Sequence, residues 1–432
     1  MENIKIKELI IQHSKYALNN DKLYFRDLPD LKNLISIKPI IVITGVRRCG
    51  KSSLMRLIIK DLLKEESVSI NNIIYINFED ERFVEFTYQD FDNLYEIFLE
   101  IKNPYGKKYL FFDEIQNIKY WHRWINRMYE FEDVKIFITG SNASLLSSEI
   151  ASSLTGRNIP IRLYPLSFKE YLRFNQVTIS DNTIFDINER VKLKKNFSDY
   201  LNTGGFPEAV INNDPFTLQY YFQDILLKDI VSRLGIKNVK EMKGLGLYLS
   251  SNISKLSSYR KISAAISIKS TNTVKNYLDH LENAFLFFRM GLFDFSLKKQ
   301  FSNPYKMYCV DTAIARSVAF KFSQDLGRIY ENIVFIELLR RNSEIYYWRS
   351  PNNNEVDFII RQGMDITNVI QVTVSLSSKN TETREMRSLL EAANMFELNK
   401  GTIITEDESA IFIKDNIEIR KVPIWQWLLN IG

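Results

Sequence analysis

Residues 43–54, "ITGVRRCGKSSL", join an apolar run to a glycine-rich turn that opens a helical pattern. From Gly45 to Ser52 the spacing is G-x-x-x-x-G-K-S, which is typical of a phosphate-binding loop between a strand and a helix. The glycines allow backbone N–H groups to curl around a phosphate, and the helix that begins near Lys51 adds partial positive charge. A glycine-rich turn with a chance lysine is the alternative interpretation.

Two side chains of this loop carry the predicted chemistry. Lys51 is expected to reach the β- and γ-phosphates of ATP, and the Ser52 hydroxyl is expected to ligate Mg²⁺. The residues predicted to bind the nucleotide are Gly45, Val46, Arg47, Arg48, Cys49, Gly50, Lys51, Ser52 and Ser53.

A second motif, "KKYLFFDEIQN" (107–117), is an apolar run that ends in the adjacent carboxylates Asp113 and Glu114. Beside a phosphate-binding loop, such an aspartate is expected to hold Mg²⁺ through water, and the glutamate to polarise the attacking water. The pair also argues against a small-molecule kinase, in which that glutamate is not expected. The alternative is a strand followed by a solvated acidic turn.

Two further regions are candidates for contact with the γ-phosphate. Ser141 or Asn142, in "FITGSNASLL" (137–146), would lie between the two loops and sense this phosphate, or Ser141 would simply cap the following helix. Arg157 precedes a fifth apolar run and would compensate transition-state charge, in cis or from a neighbouring subunit. A surface arginine is the alternative for Arg157.

Short apolar runs alternate with helical patterns between about residues 36 and 165, which is typical of a parallel α/β sheet. Their near-continuous hydrophobicity is expected of strands buried on both faces. The predicted strands are 40–44, 73–78, 109–113, 135–140 and 159–163.

The composition of the 432 residues narrows the class of protein. An apolar fraction of 45% allows sizeable cores, and the length suits about three domains. Two cysteines, Cys49 and Cys309, provide no disulfide framework, and three distant histidines disfavour a His-based zinc site. The sequence predicts neither a membrane span nor a signal peptide, so we expect a cytoplasmic protein without a membrane partner.

The chain resembles the prokaryotic AAA+-type ATPases of the archaeal-ATPase lineage in an ordered set of motifs: "GVRRCGKSS", "YLFFDEIQN", "ITGSNASLL", "LTGR", "YPLSFKEYL" and "GGFPEAV". The resemblance runs from "YFRDLPDL" to "VPIWQWLL" and implies a C-terminal half with a restriction-endonuclease-like fold of unknown function. It also implies ATP and Mg²⁺ as cofactors, with phosphate and metal roles for Lys51, Ser52 and Asp113. Glu114 would act on water, and Arg157 would be a sensing arginine.

The resulting prediction is a multidomain α/β protein with a P-loop AAA+-type parallel sheet core. The predicted domains are an N-terminal helical segment (1–35), the ATPase core (36–175), a helical lid (176–240), a winged helix (241–320) and a restriction-endonuclease-like α/β domain (321–432). In the lid, Gly204 and Gly205 form either a hinge or a helix C-cap.

The predicted winged helix lies in a basic part of the chain. Between Ile236 and Phe320 there are 13 Lys and Arg against 5 Asp and Glu, a balance of +8. Non-specific DNA is one candidate partner of this region, and the other interpretation is a connecting or protein-binding domain. The exposed face of its third helix is predicted to carry Asn272, Lys275, Asn276 and Asp279.

The C-terminal region matches only the acidic part of a restriction-endonuclease-like site. Glu331 lies in a helical pattern, Asp357 in a strand pattern, and Glu355 is nearby. The third element of such a site is a strand with E-x-K, whose lysine helps to activate water. Here that strand reads "QVT" from Gln371, so the sequence predicts a retained fold with a decayed site at Glu331, Asp357 and Gln371. It argues against a working nuclease.

Three functions remain open from the sequence. Mg²⁺-dependent ATP hydrolysis would drive a nucleotide-gated switch that is linked to DNA or to a protein partner. The alternatives are an ATP-licensed nuclease that acts against foreign DNA, and an ATP-dependent scaffold that assembles into a homo-oligomer.

Overall fold

The computed structural model describes residues 1–19, 21–28, 31–64, 68–143, 156–179, 185–212, 214, 216–319, 325–341 and 343–431. The chain divides into two compact units, Met1–Leu163 and Tyr164–Gly432. Within these described ranges, no helix is both long and apolar enough to cross a membrane.

A five-stranded parallel sheet forms the centre of the first unit. Its strands are β1 (Ile40–Thr44), β2 (Ile73–Asn77), β3 (Lys108–Asp113), β4 (Val134–Gly140) and β5 (Asn158–Arg162). The strand order is β2-β3-β4-β1-β5, and β1 and β4 are buried along their whole length. Every strand end lies within one residue of its predicted position, and the predicted α/β fold with a parallel core is confirmed.

Five described helices accompany this sheet. They are α1 (Asn3–Leu18), α2 (Leu31–Ser36), α3 (Lys51–Lys64), α4 (Asp90–Lys102) and α5 (Trp121–Phe131). Helix α1 packs on β2, α3 and α4. Its apolar side chains Ile6, Leu9 and Ile10 have helical spacing and enter the same core as the sheet. The N-terminal helix is therefore part of the first unit.

The second unit contains twelve described helices and a π-helical segment, Ile225–Ser232. The helices are α6 (Phe168–Phe174), α7 (Ile187–Thr203), α8 (Pro207–Asn212), α9 (Thr217–Asp224), α10 (Val239–Ser250), α11 (Tyr259–Ala265), α12 (Thr271–Asn283), α13 (Leu297–Ser302), α14 (Thr312–Val318), α15 (Leu326–Arg340), α16 (Lys379–Met395) and α17 (Ile424–Leu429).

Two sheets belong to the second unit. The strands of the smaller sheet are β6 (Leu256–Ser257), β7 (Phe287–Met290) and β8 (Tyr305–Cys309), and those of the larger are β9 (Glu344–Arg349), β10 (Glu355–Gln362), β11 (Asp365–Val372), β12 (Lys400–Thr405), β13 (Ala410–Lys414) and β14 (Ile417–Pro423). The orders are β6-β8-β7, which is antiparallel, and β13-β14-β12-β11-β10-β9, which is mixed.

The division between the units does not follow the predicted end of the ATPase core at residue 175. It falls after Leu163, because α6 packs against α7 and α17 of the second unit. The elements from α10 to β8 have the order expected of a winged helix, whose assignment stays a prediction. Gly204 and Gly205 are packed rather than open: Gly204 N–H caps α7, and Gly205 N–H donates to Asp311 Oδ2 at 2.7 Å. These contacts favour the helix C-cap over the hinge.

Candidate active site

Three neighbouring strands bring the predicted nucleotide-binding residues together at their carboxyl ends. In the order β3-β4-β1, Asp113 ends β3, Ser141 follows β4, and the P-loop follows β1. The register pairs Thr44 with Gly140, so the chain leaves both strands at the same level. Residues from three separate motifs therefore meet at one edge of the sheet.

The loop from Gly45 to Gly50 needs glycine at both ends. A Cβ atom on Gly45 would lie 2.1 Å from the carbonyl oxygen of Leu163, and Gly50 has a φ of +102°, which side chains rarely tolerate. Between them, Cys49 N–H donates to Val46 O at 3.3 Å and closes the turn before α3.

Lys51 is buried, and its amine faces both the loop and the acidic pair. Nζ donates to the carbonyl oxygens of Gly45 and Val46 at 3.2 and 3.3 Å and lies 3.3 Å from Glu114 Oε1. Burial opposes the charge, but the surrounding negative groups, chiefly Glu114, outweigh it and raise the pKa of Lys51. The ammonium is therefore charged at neutral pH and can pair with a phosphate.

Asp113 is 0% exposed and is held by hydroxyl groups. Its carboxylate accepts hydrogen bonds from Ser52, from Thr139 and from Tyr75, whose Oη lies 2.8 Å from Oδ2. Burial raises the pKa of Asp113 and the neighbouring charge of Glu114 adds to the shift, whereas the three hydroxyls oppose it. These bonds fix the carboxylate beside Ser52, the other predicted Mg²⁺ residue.

Glu114 has a φ of +51°, a conformation that is uncommon for residues other than glycine and concentrates at functional positions. Gln116 Nε2 and Ser141 N–H donate to its carboxylate, and its own N–H donates to Thr139 Oγ1 at 2.9 Å. Burial acts to raise the pKa of Glu114, but Lys51 and Gln116 outweigh it and lower that pKa. The side chain is therefore a carboxylate that can accept a proton from water.

Ser141 and Asn142 are both buried beside this pair. Ser141 contacts Glu114 through its backbone N–H, at 3.2 Å from Oε2. The position agrees with the expected place between the two loops. The alternative, in which Ser141 caps a following helix, concerns residues 144–155, which lie outside the described part of the chain.

The remaining loop residues lie toward its outer side. Arg47 pairs with Glu79, Arg48 is exposed with a φ of +67°, and Ser53 is exposed on the first turn of α3. The structure therefore places the Arg48 and Ser53 side chains away from the buried centre formed by Lys51.

Arg157 does not lie beside the P-loop. Its carbonyl oxygen accepts a hydrogen bond from Ile40 N–H at 2.8 Å, at the amino end of β1, and its guanidinium pairs with Glu130. The P-loop begins at the other end of β1, about 13 Å away for four residue steps. The predicted contact in cis is therefore not formed. Arg157 precedes β5 and so lies at the amino ends of the parallel strands, whereas the P-loop lies at their carboxyl ends. A contact from a neighbouring subunit stays a prediction.

Several residues outside the predicted set of site residues support the site. Arg26 is 6% exposed, and its Nη1 donates to Cys49 O at 2.9 Å, so that it fixes the P-loop backbone from outside. Thr139, Tyr75 and Gln116 hold the two carboxylates, as described above. Their residue types carry no signal of this role, and only the tertiary structure brings them to Asp113 and Glu114.

The residues around Ser52 fit a magnesium ion that is shared with a nucleotide. A hydroxyl and a carboxylate are the oxygen ligands that Mg²⁺ prefers, and proteins supply few of its ligands when phosphates provide others. Within the described ranges, no group of three or more His, Cys, Asp or Glu residues is arranged to hold a metal ion by itself. Ser52 and Asp113 hydrogen-bond to each other and would form the protein's share of the site.

A second buried ionic cluster lies in the second unit, around the predicted decayed nuclease site. Glu331 on α15 and Asp357 on β10 meet there, and Lys306 on β8 contacts both of them and Glu355. The distances from Lys306 Nζ are 2.9 Å to Glu331 Oε1, 2.8 Å to Glu355 Oε1 and 2.9 Å to Asp357 Oδ1. The strand that contains Gln371 has no E-x-K lysine, but Lys306, from the predicted winged helix, brings a lysine into contact with the acidic side chains.

Gln371 is part of the same cluster but acts as a hydrogen-bonding residue. Its Oε1 accepts from Asp357 N–H at 3.3 Å, and its Nε2 donates to Glu385 Oε2 at 2.5 Å. Burial raises the pKa of Glu331 to about 7, even though Lys306 acts against the shift. A polar cleft of about 780 Å³ opens beside these side chains.

The predicted DNA-reading helix, α12, carries few available charges. Asn272, Lys275 and Asn276 are exposed on it, as expected. Asp279 instead pairs with Arg289 at 2.5 Å, and Arg289 also binds Glu282. Arg289 is therefore neutralised within the fold.

Three families match consecutive parts of the chain. Residues 37–172 match the family described as "AAA domain", residues 194–325 match "Domain of unknown function (DUF8612)", and residues 326–427 match "Domain of unknown function (DUF4143)".

Two relatives cover most of the chain. The uncharacterized protein MJ1544 of Methanocaldococcus jannaschii is 35% identical over 99% of this chain and 96% of its own length. An uncharacterized protein of Haemophilus influenzae is 35% identical over 85% of this chain and 90% of its own. Among solved structures, the Aeropyrum pernix ORC1 protein in complex with DNA has a TM-score of 0.30 and 11% identity, over 73% of this chain and 91% of that one.

Proposed function

The chain belongs to the family of the uncharacterized protein MJ1544, and from the residues of its AAA domain we propose that it binds Mg·ATP and hydrolyses it to ADP and phosphate. The observation that carries this proposal is the meeting of Lys51 and Ser52 with Asp113 and Glu114. About 60 residues of chain separate the two pairs, yet Lys51 Nζ lies 3.3 Å from Glu114 Oε1. Such an arrangement of a cation, a hydroxyl and two carboxylates suits phosphoryl transfer to water.

Each residue has a defined task in this mechanism. The P-loop N–H groups and Lys51 would bind the β- and γ-phosphates, and Ser52 and Asp113 would hold the Mg²⁺ ion. When bound, Mg²⁺ neutralises charge on the phosphate oxygens. Glu114 orients a water molecule for in-line attack on the γ-phosphorus and accepts its proton, while the bond from that phosphorus to the β–γ bridging oxygen breaks.

The present contacts of Lys51 suggest how nucleotide binding would free Glu114 to act as the general base. Lys51 now bonds to Glu114 and to two loop carbonyl oxygens. A γ-phosphate is a stronger partner for the ammonium than a neutral carbonyl oxygen, because the bond is charge-assisted at both ends. Movement of the ammonium toward the phosphate would release Glu114 to act on water.

Two variants test the proposal in the full chain. Lys51→Ala should abolish binding of Mg·ATP in calorimetry, because the phosphate loses its buried cation. Glu114→Gln should still bind Mg·ATP but release phosphate at least about 100-fold more slowly, since the amide cannot accept the proton. Glu130→Gln is a matched control, because Glu130 is a half-exposed carboxylate that pairs with Arg157. Wild-type turnover in Glu114→Gln would refute the mechanism.

Hydrolysis of this kind is proposed to operate a nucleotide-gated switch with a partner at residues 241–320. The exposed Asn272, Lys275 and Asn276 are the surface offered by α12. ATP turnover should therefore change when duplex DNA or the protein partner is added, and light scattering should show whether subunits assemble with nucleotide. An ATP turnover rate that duplex DNA does not change, together with an oligomeric state that nucleotide does not change, would argue against a switch.

A further inference from the structure

The ammonium of Lys306 is completely satisfied by the acidic cluster. It has three N–H donors, and one carboxylate oxygen of Glu331, of Glu355 and of Asp357 lies within 2.9 Å of Nζ. The side chain is only 3% exposed. The amine therefore fills the space between the three carboxylates.

The strand that carries Lys306 is fastened to the helix that carries Glu331. Asn332 on α15 exchanges two hydrogen bonds of 2.8 Å with the backbone N–H and carbonyl of Cys309 on β8. The ring of Tyr308 stacks on Phe335 with a centroid separation of 4.0 Å, and its hydroxyl donates to Glu331 Oε1 at 2.7 Å. Lys306 is thus held in place by its neighbours in sequence as well as by its own charge.

Two other oxygens of the cluster are also engaged. Asp357 Oδ2 accepts from Val372 N–H at 3.0 Å, and Glu355 Oε2 accepts from Arg349 at 2.7 Å. A magnesium or manganese ion takes about six oxygen ligands, and it would have to displace the ammonium from the same three oxygens. A lysine and a divalent cation cannot share this space without strong repulsion.

We propose that Lys306 is the resident cation of this cluster and stands in place of a metal ion. The acidic side chains, which resemble a nuclease site in their arrangement, then join β8 to α15 and β10 without a metal. Lys306 lies in the segment that matches one family of unknown function, whereas its three partners lie in the segment that matches the next. The cluster therefore makes these two consecutive segments one structural unit, and it does not depend on Mg²⁺ or Mn²⁺.

Manganese binding to the full, nucleotide-free chain tests this proposal directly, with free Mn²⁺ measured by electron paramagnetic resonance. The wild type and Asp357→Asn should bind the same amount of Mn²⁺, because the ammonium keeps the ion out. The wild type should also leave supercoiled plasmid intact with either metal. A Mn²⁺ ion that the wild type binds and Asp357→Asn loses would overturn the proposal, as would cleavage that Asp357→Asn abolishes.

Removal of the ammonium should create the metal site. Lys306→Met should gain one Mn²⁺ per chain, and Asp357→Asn in the same chain should remove it again. The unfolding midpoint of Lys306→Met without metal should fall by roughly 6–10 °C, since the buried Glu331 and Asp357 and the partly buried Glu355 lose their shared counter-ion. Lys298→Met is the matched control, because Lys298 is an exposed lysine of α13, and it should change neither value.

A charge-balanced variant covers the case in which Lys306→Met does not fold. Lys306→Met combined with Glu331→Gln and Asp357→Asn removes the ammonium together with two of its carboxylates. Neutral replacement of a buried ionic group is far better tolerated than loss of one partner, so this variant should fold and unfold at a higher temperature than Lys306→Met. A midpoint for Lys306→Met equal to that of the wild type would contradict the role of Lys306.

Discussion

Replacement of Thr139 by valine should weaken the first unit and its proposed hydrolysis together, because one hydroxyl serves both acidic residues. Thr139 Oγ1 donates to Asp113 Oδ1 and accepts the N–H of Glu114 at 2.9 Å. The side chain is 0% exposed, on β4 between β3 and β1. Valine has nearly the same shape, so the change removes two hydrogen bonds without opening a cavity.

The size of the effect follows from these two bonds. A hydrogen bond to a charged group contributes about 1.5–3 kcal/mol, and a buried N–H without an acceptor costs about 1–3 kcal/mol. Because Ser52 and Tyr75 still hold Asp113, and effects at one site do not add fully, we expect a loss of about 2–4 kcal/mol in the free energy of unfolding. A displaced Glu114 should also lower kcat by about 10- to 100-fold.

Thr44→Val is the matched control for this prediction. The Thr44 hydroxyl is equally buried on the adjacent strand β1, but it has no hydrogen-bond partner among the described residues. Its removal should leave stability unchanged or raise it by about 1 kcal/mol. Hydrogen exchange read by mass spectrometry measures each unit separately, and peptides from β3 and β4 should exchange roughly 30- to 1,000-fold faster in Thr139→Val. Equal exchange and equal kcat in the two valine variants would refute the role of the hydroxyl.

Three further predictions concern stability, the P-loop and the displaced arginine. The pKa of Glu331 is raised from 4.5 to about 7 in the folded state, so the free energy of unfolding of the second unit should fall as pH rises through this range. In Glu331→Gln the melting temperature should depend less on pH. Arg26→Met should raise KM for ATP about tenfold with a smaller effect on kcat, because the P-loop backbone loses a fixed contact. Arg127→Met is the control: it removes an exposed ion pair with Asp92 and should match the wild type. Where light scattering shows the protein to be monomeric, Arg157→Ala should leave the affinity for a fluorescent ATP analogue unchanged, and a tenfold loss there would contradict its placement.

The parallel sheet was predictable because the sequence of each strand reflects how that strand is buried. The runs at 40–44 and 134–140 are buried on both faces, so their sequences lack the alternation of a half-exposed strand. The end of the first unit was less predictable. Helix α6 begins with a capping box of Ser167 and Glu170, a local signal that says nothing about the elements on which the helix packs.

Some residues of the candidate site could be predicted from local sequence, and others could not because their role depends on tertiary contacts. Lys51 and Glu114 were identified because a particular residue type at a particular strand end is needed for their chemistry. Thr139 and Arg26 are ordinary residues that become important only through their tertiary contacts. For Arg157 the necessary information was present: a residue that precedes a parallel strand lies at the amino edge, away from the P-loop.

Lys306 was missed because its partners are 25, 49 and 51 residues away in the chain, in a region treated as another domain. The same oversight affects the charge of the basic segment. Lys306 contributes to the balance of +8 between Ile236 and Phe320, but its ammonium is buried among three carboxylates that lie outside this range. When they are included, the balance falls by three, to +5.

The corrected charge limits what the middle of the second unit can bind. Only exposed cations neutralise phosphates and release counter-ions, so a buried lysine contributes nothing to the salt dependence of DNA affinity. Arg289 is likewise engaged with Asp279 and Glu282 inside the fold. Any duplex affinity of this region has to come from its exposed cations, which include Arg260 and, on α12 itself, Lys275. Because Lys306 and Arg289 are engaged, at most eleven of the thirteen basic residues can contribute to its salt slope.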